Sequence, residues 1–75
     1  MKSNTNRVAV KKLLHSKWTA VTPENKEKHF MIVELVEDEQ GELLACVLEA
    51  VHSKRQQHID WKILKDMEAW QQGWH

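Results

Sequence analysis

Residues 29–52 place the tightest constraint on the fold, because they form two apolar runs on either side of a short polar turn. HFMIVELVE is followed by DEQG and then by ELLACVLEAV. Two such runs joined by four polar residues that end in glycine predict an antiparallel β hairpin. We expect a type I turn over residues 38–41, with Gly41 in the left-handed conformation of a G1 bulge, which sets Asp38 opposite Glu42.

This turn predicts a register for the hairpin. One face then carries these eight side chains: Phe30, Ile32, Glu34, Val36, Leu44, Cys46, Leu48 and Ala50. A register one residue off would regroup them. In either register both faces are largely apolar, and a two-stranded ribbon cannot shield both from water. We therefore expect one face to pack on the rest of the chain and the other to be covered by barrel-like curling, the C-terminal segment or another subunit.

Shorter elements flank the hairpin. Residues 17–21 (KWTAV) are rich in β formers and predict a strand that Pro23 ends, followed by a solvated loop over residues 24–28. Residues 57–61 alternate between polar and apolar side chains and predict a third hairpin partner. Residues 8–14 leave a short helix and an edge strand equally open.

The C-terminal segment has a helical pattern. Large apolar residues recur there at spacings of four, three and four, which marks one stripe of a helix: Ile63, Met67, Trp70 and Trp74. We predict a mainly β (α+β) fold, a small antiparallel β meander of three to four strands curled into a partial SH3-like barrel, with a short C-terminal helix. A single tryptophan-rich β domain is expected over residues 8–75, preceded by a disordered basic tail over residues 1–7.

Composition shows how so small a domain can be stabilised. Seventy-five residues form one domain with a thin margin of stability. The single cysteine, Cys46, excludes an internal disulfide, and four tryptophans supply heavy core residues instead. The first residues are polar and no apolar run approaches the ~18 residues of a membrane span, so we expect neither a signal peptide nor a membrane contact. A lone thiol fits a reducing cytoplasm, which is the expected location.

Charge is balanced overall but uneven along the chain. Residues 1–23 carry +5, residues 24–50 carry −6 and residues 51–75 carry +1. A neutral total argues against a dedicated binder of duplex DNA, whose affinity rests on neutralised phosphates. The basic N-terminal arm leaves room for a weak, salt-sensitive contact with an anion.

Several short segments together resemble a known family. They are LHSKWTAV (residues 14–21), KHF (28–30), LEAV (48–51), IDW (59–61), LKD (64–66) and WQQGW (70–74). Over residues 13–74 the chain is similar to the small bacterial tryptophan-rich conserved hypothetical proteins. The resemblance implies a stand-alone, single-domain protein in the bacterial cytoplasm, and it implies no catalytic residue.

Five residues form the candidate binding surface: Trp18, Trp74, Lys17, Lys54 and Arg55. An indole face is a general platform for a base or a peptide. The basic side chains form a positive patch beside Trp18 if the N-terminal arm and the turn over residues 53–56 converge. The structural alternative is that the tryptophans fill a small core and the basic residues form a solvated face.

No residues have the spacing of a catalytic or metal site. The five histidines are not accompanied by a CxxC or HExxH pattern. Cys46 lies in an apolar strand, where burial raises the pKa of a thiol instead of activating it. Glu34 and Glu49 interrupt the apolar strands, and a carboxylate on a covered face needs a partner. We therefore expect no catalytic residue, no metal, no cofactor and no enzymatic activity.

The sequence favours an interaction module. We expect a protein partner, or a second copy in a homodimer, to bind a tryptophan-bearing surface, because the chain is too short to hide both hairpin faces. The alternative is a weak binder of single-stranded nucleic acid that uses the N-terminal basic arm and Trp18.

Overall fold

Five antiparallel strands form one open sheet in the computed structural model, which describes residues 6–75. The strands are β1 (Lys17–Glu24), β2 (Glu27–Glu37), β3 (Leu43–Ala50), β4 (Gln56–Ile59) and β5 (Trp70–Gln72). Their order across the sheet is β4-β3-β2-β1-β5. The mainly β prediction is confirmed, with five strands instead of three or four. The sheet is open and not a barrel, since β4 and β5 form its two separate edges.

The turn of the central hairpin is the one that the sequence predicts. The Asp38 N–H donates to the Glu42 carbonyl at 2.9 Å, and the Gly41 N–H donates to the Asp38 carbonyl at 3.0 Å. Gly41 has a φ of 81°, a region open to glycine at little cost. The Asp38 carboxylate also accepts from the Gln40 and Glu42 N–H groups, so that one side chain organises the whole turn.

Each strand of the central hairpin contains one bulge of one residue. Between the two bulges the strand pairing is shifted by one residue relative to both ends. Val33 is the extra residue on β2, and Leu44 is the extra residue on β3. The pairs that bracket the bulges are Ile32–Leu48, Glu34–Val47, Val36–Ala45 and Glu37–Leu43. The predicted register therefore holds at both ends and is wrong by one residue between the bulges, because the second bulge cancels the shift that the first introduces.

The bulges keep a carboxylate out of the core. The predicted register sets Glu34 opposite Cys46, whose side chain is fully buried. A carboxylate there would be desolvated without a partner, which costs several kcal/mol. In the structure Leu35 pairs with Cys46 and Glu34 is exposed on the other side of the sheet.

One face of the sheet carries the core. Its buried side chains come from the three central strands and from the two segments that cover them: Trp18, Phe30, Ile32, Cys46, Leu48, Ala50, Leu13 and Leu64. The covering segments contain two short 3₁₀ helices, Val10–Lys12 and Trp61–Lys65. Of the two alternatives for residues 8–14, the structure has the short helix.

The C-terminal helix of the sequence prediction is wrong. The 3₁₀ helix ends at Lys65, and the chain turns and forms β5, where Trp70 pairs with Ala20 on β1. Pairing with β5 satisfies backbone groups on the edge of β1 that would otherwise stay open. β5 ends at Gln72 and Gly73, with a φ of 82°, turns the chain, so Trp70 packs on the core whereas Trp74 lies on the opposite face.

The N-terminal boundary differs from the predicted one. Asn6 donates its backbone N–H to the Lys65 carbonyl, and its side-chain amide donates to the Leu64 and Trp70 carbonyls at 2.8 Å. Asn6 is therefore anchored and belongs to the folded domain. The rest of the predicted tail, residues 1–5, lies outside the described residues.

The domain is flat, with extents of 38 × 36 × 15 Å. The thin dimension holds one sheet and one covering layer on the core side. At one end of the opposite face Trp74 and His75 fold back over the sheet: the Trp74 indole N–H donates to the Phe30 carbonyl, and the His75 N–H donates to Thr19 Oγ1. Within residues 6–75 no helix has the length and apolar character that crossing a membrane requires.

Candidate functional site

A cleft opens where β1 separates from β2. The two strands pair through Thr19 and His29 and meet again only at Glu24 and Glu27, because the intervening part of β1 is longer. Pro23 lies in this part, and it has no N–H to donate to a neighbouring strand. The cleft has a volume of about 400 Å³ and is lined by Ala20, Thr22, Glu24, Asn25, Glu27, Phe30, Arg55, Gln57, Glu68, Ala69 and Trp70.

A two-residue turn puts Glu27 into the wall of this cleft. Asn25 and Lys26 have φ values of 55° and 61°, the pattern of a type I′ hairpin turn. Glu27 therefore begins β2, and only 4% of it is exposed. The predicted solvated loop over residues 24–28 is wrong, and so is the end of the strand at Pro23, which lies within β1.

Glu27 is held by an arginine and a serine from the β3–β4 turn. Arg55 Nε lies 3.0 Å from both carboxylate oxygens and Arg55 Nη2 lies 2.5 Å from Oε1. Ser53 Oγ donates to Oε2 at 2.5 Å. The hydrogen bonds from Arg55 and then from Ser53 lower the pKa of Glu27 to about 2, against an opposing effect of burial. The same pair raises the pKa of Arg55 above its ordinary value.

This arrangement fixes a guanidinium at the edge of the cleft. The carboxylate engages Nε and one Nη of Arg55, and within the described residues 6–75 the other Nη has no hydrogen-bond acceptor. Half of the Arg55 side chain stays exposed, while 5% of the Glu27 side chain does. The buried Glu27 carboxylate therefore holds the solvent-accessible guanidinium of Arg55 in a fixed position.

Two aromatic rings form the apolar wall opposite. Phe30 and Trp70 meet edge to face, with ring centroids 5.3 Å apart and an interplanar angle of 80°. Phe30 is buried and Trp70 is half-buried, so the indole is the ring that reaches the cleft surface. An aromatic wall beside an oriented guanidinium is suited to holding a ligand with an apolar part and a hydrogen-bond acceptor.

Glu27 is unsuited to proton transfer at neutral pH. Within residues 6–75, the side chains that line the cleft include no histidine, cysteine or lysine. The hydrogen bonds from Arg55 and Ser53 lower the pKa of Glu27, so that this carboxylate stays ionised at neutral pH. A general acid or base needs a pKa near the working pH, and Glu27 is moved away from it.

The structure distributes the five predicted surface residues over three places. Arg55 lines the cleft, and Lys54 precedes it in the same turn with a φ of 64°. Lys17 and Trp74 lie together on the opposite sheet face, with Lys17 Nζ 4.8 Å from the centre of the indole ring. Trp18 is only 1% exposed and donates its indole N–H to Ser16 Oγ. Trp18 is a core residue with no face to offer a ligand, so its place in the candidate surface is corrected.

The predicted positive patch does not assemble. Val10 of the first 3₁₀ helix shares a cavity with Gly41 and Glu42 near the β2–β3 turn, whereas Arg7 and Lys12 line a pocket with Trp18 and Gln72. The turn over residues 53–56 lies at the other end of β3. Lys54 and Arg55 line neither of these cavities, and Trp18 lies beneath the surface.

The remaining candidates occupy structural positions. Burial and the nearby Asp60 charge raise the pKa of the Cys46 thiol to about 11, which agrees with the predicted structural role. Glu49 accepts from the Gln56 side-chain amide at 2.8 Å, and Glu34 is exposed. Across residues 6–75, no three histidine, cysteine, aspartate or glutamate side chains are grouped closely enough to hold a metal.

Glu27 and Trp70 are the cleft residues that sequence reasoning missed. Glu27 stands in a polar run, and its burial follows from a tight Asn25-Lys26 turn. The signal for that turn is the asparagine, which tolerates a positive φ, between two stretches of β formers. The spacing of Trp70 fits the stripe of a helix as well as it fits a strand. Trp70 becomes a strand residue because the edge of β1 is open to pairing.

The fold and the cleft define a class of protein, a small five-stranded β domain with a cleft lined in part by a tryptophan. The chain belongs to the family described as tryptophan-rich protein (DUF2389), whose model matches residues 16–75. The family resemblance seen in the sequence is thereby confirmed. No curated protein and no solved structure matches the chain.

Proposed function

We propose that this domain is a non-enzymatic interaction module of the bacterial cytoplasm that binds a segment of a protein partner in the Arg55–Trp70 cleft. The observation that carries the proposal is the buried Glu27, which fixes Arg55 at the rim of a cavity with an aromatic wall. Tryptophan and arginine are the side chains most enriched among the residues that dominate binding energy at protein interfaces. Trp70 thus takes the role that the sequence suggested for Trp18.

The dimensions of the cleft support a peptide segment as ligand. A volume of about 400 Å³ accommodates a few side chains and lies within the range of ligand pockets, ≈ 300–1,000 Å³. The free Nη of Arg55 and the Gln57 amide are placed to meet peptide carbonyls or a carboxylate. Glu24 and Glu68 are exposed at the rim, where they favour a partner whose flanking residues are basic.

Cytoplasmic placement is part of the proposal. Its support is the single cysteine, which the fold keeps as a buried free thiol. Small domains that work outside the cell usually depend on disulfides.

Site-specific photo-crosslinking tests the cleft. A photoreactive amino acid replaces Glu68 at the cleft rim, or Met67, which is exposed but outside the cleft lining. In native cell lysate we expect a defined protein adduct from position 68 and none from position 67. Adding Ala69→Arg, which fills the cleft, should reduce the adduct by at least about tenfold, the effect of losing ~1.4 kcal/mol of binding free energy.

The matched control is Met67→Arg, combined with the crosslinker at position 68. Met67→Arg adds the same charge as Ala69→Arg at a position outside the cleft lining, so the adduct should persist. Equal adducts from positions 67 and 68, or an adduct that Ala69→Arg leaves unchanged, would show that the cleft is not the binding site.

A further inference from the structure

A pocket with basic side chains opens at the end of the central hairpin that is far from its turn. Five residues line it, three around the start of β2 and two just after β3: Lys26, Lys28, His29, Val51 and His52. We call this set the basic pocket. Its volume is about 520 Å³, and none of the residues in the described range 6–75 that line it is acidic. It shares no lining residue with the Arg55–Trp70 cleft.

The carboxylates near the basic pocket face other groups. Glu24 and Glu27 flank the turn that carries Lys26, but both line the cleft, and Glu27 is buried against Arg55. His29 Nε2 lies 2.7 Å from the His75 main-chain oxygen. Within residues 6–75, the other three basic side chains of the pocket have no hydrogen-bond or salt-bridge partner. The pocket therefore holds hydrogen-bond donors and positive charge that an anion can use.

We propose that the basic pocket and the adjoining Trp74 bind a single-stranded nucleic acid, with a backbone phosphate in the pocket and a base against the indole. Lysine ammonium groups and imidazole N–H groups donate hydrogen bonds, and phosphate oxygens accept them. Lys26 and Lys28 supply the charge, and His52 supplies a further donor. This site replaces the one that the sequence suggested around the N-terminal arm and Trp18.

Trp74 presents an accessible indole beside the basic pocket. Its ring centroid lies 6.2 Å from that of His29, a pocket residue, and 42% of Trp74 is exposed. The indole N–H donates to the Phe30 carbonyl at 2.9 Å, which fixes the position of the ring. Bases of single-stranded nucleic acids stack on aromatic side chains that lie along a positively charged groove. The exposed indole therefore favours a nucleic-acid strand over a bare phosphate ion.

A further cation lies on the other side of Trp74. Lys17 Nζ is 4.8 Å from the centre of the indole ring. Lys17 and His29 belong to cross-strand rows two residues apart, a separation of about 7 Å along the strands. Trp74 is anchored at Phe30, in the row between them. A base on the indole thus has cations on both sides, and in a nucleic-acid strand each base is likewise flanked by two phosphates.

The charges of the site predict a weak, salt-sensitive affinity. Three lysines contribute: Lys17, Lys26 and Lys28. For single strands the logarithm of the binding constant falls by about 0.7 per neutralised phosphate for each unit of log salt concentration, so three contacts give a slope of about −2. Affinity should then fall by about twentyfold between 50 and 200 mM salt.

Fluorescence anisotropy of a short fluorescein-labelled oligothymidylate, titrated with the full chain at low salt, tests the site. We expect the wild type to bind. Lys26→Gln/Lys28→Gln should weaken binding by about tenfold or more and reduce the steepness of the salt slope by about 1.4, because two phosphate contacts are lost. Trp74→Ala should weaken binding by about tenfold with little change in the slope, because stacking does not depend on charge.

Lys62→Gln/Lys65→Gln is the matched control, because it removes two lysines from the covering layer on the core side and should change neither affinity nor slope appreciably. Circular dichroism checks that each variant is folded. A wild type that does not bind at low salt overturns the proposal, and so does equal weakening by the two double variants. Inorganic phosphate is the competitor. If it displaces the label as well as unlabelled oligothymidylate does at equal phosphate concentration, the pocket binds a bare anion and the proposal is wrong. Crosslinking at the cleft is a separate readout, so failure here is distinguishable from failure of the proposed function.

Discussion

Replacing Glu34 with leucine should change the register of the central hairpin. In the bulged register Glu34 is exposed and Leu35 lies opposite Cys46. The regular register, without bulges, would put residue 34 opposite Cys46 in the core. For glutamate this burial costs several kcal/mol because the carboxylate has no partner there. Burial of a leucine at position 34 stabilises the regular register by about 1.5–3 kcal/mol, which offsets a similar loss from exposing Leu35.

In Glu34→Leu we expect the free-energy difference between the two registers to change by several kcal/mol in favour of the regular register, so that its population rises. Cross-strand nuclear Overhauser contacts in the isotope-labelled protein measure it directly. Contacts between residues 34 and 46 should appear, and those between Leu35 and Cys46 should weaken. Glu37→Leu is the control, because Glu37 pairs with Leu43 in both registers. Glu34→Leu spectra that keep only the 35–46 contacts would refute the idea that this carboxylate selects the bulged pairing.

Three further predictions concern stability and reactivity. Folding lowers the pKa of Glu27 from 4.5 to about 2, so the stabilisation from Glu27 should be complete above pH 4.5 and disappear as pH falls toward 2. Urea unfolding midpoints measured across this range should fall in the wild type. The same loss should be absent in Glu27→Gln. Leu48→Ala, at a fully buried position, should lower the free energy of unfolding by about 2–5 kcal/mol in denaturant titrations. The buried Cys46, with a pKa of about 11, should react with a thiol reagent only when the protein unfolds. The labelling rate should therefore rise in the less stable Leu48→Ala. Fast labelling of the wild type would contradict the burial of Cys46.

Local patterns in the sequence were enough to predict the hairpin and its turn. Alternating apolar runs and Asp38 through Gly41 act over a few residues, and they determine the pairing next to the turn. The pairing in the middle of the hairpin depends on the other strands, since only a covered face makes Glu34 unfavourable there. The interruption of an apolar run by Glu34 was visible, but it did not reveal which strand would bulge.

The C-terminal segment and the cleft depend on contacts that are distant in sequence. Trp70 satisfies helical spacing, and its pairing with Ala20 is decided by the unfilled edge of β1. Glu27 and Arg55 are 28 positions apart, and no periodicity connects them. Of the predicted surface only Arg55 lines the cleft, because indole burial in so small a core takes Trp18 away from solvent.

The strand order has a consequence for vectorial synthesis on the ribosome. β5 is the last strand to be made, yet its neighbour is β1, the first. The hairpin of β2 and β3 can pair as soon as both have emerged, but one edge of β1 waits until residues 70–72 leave the exit tunnel. During that interval the nascent sheet exposes backbone groups to other strands. Until residues 70–72 pair with it, that edge of β1 can accept a strand from another chain.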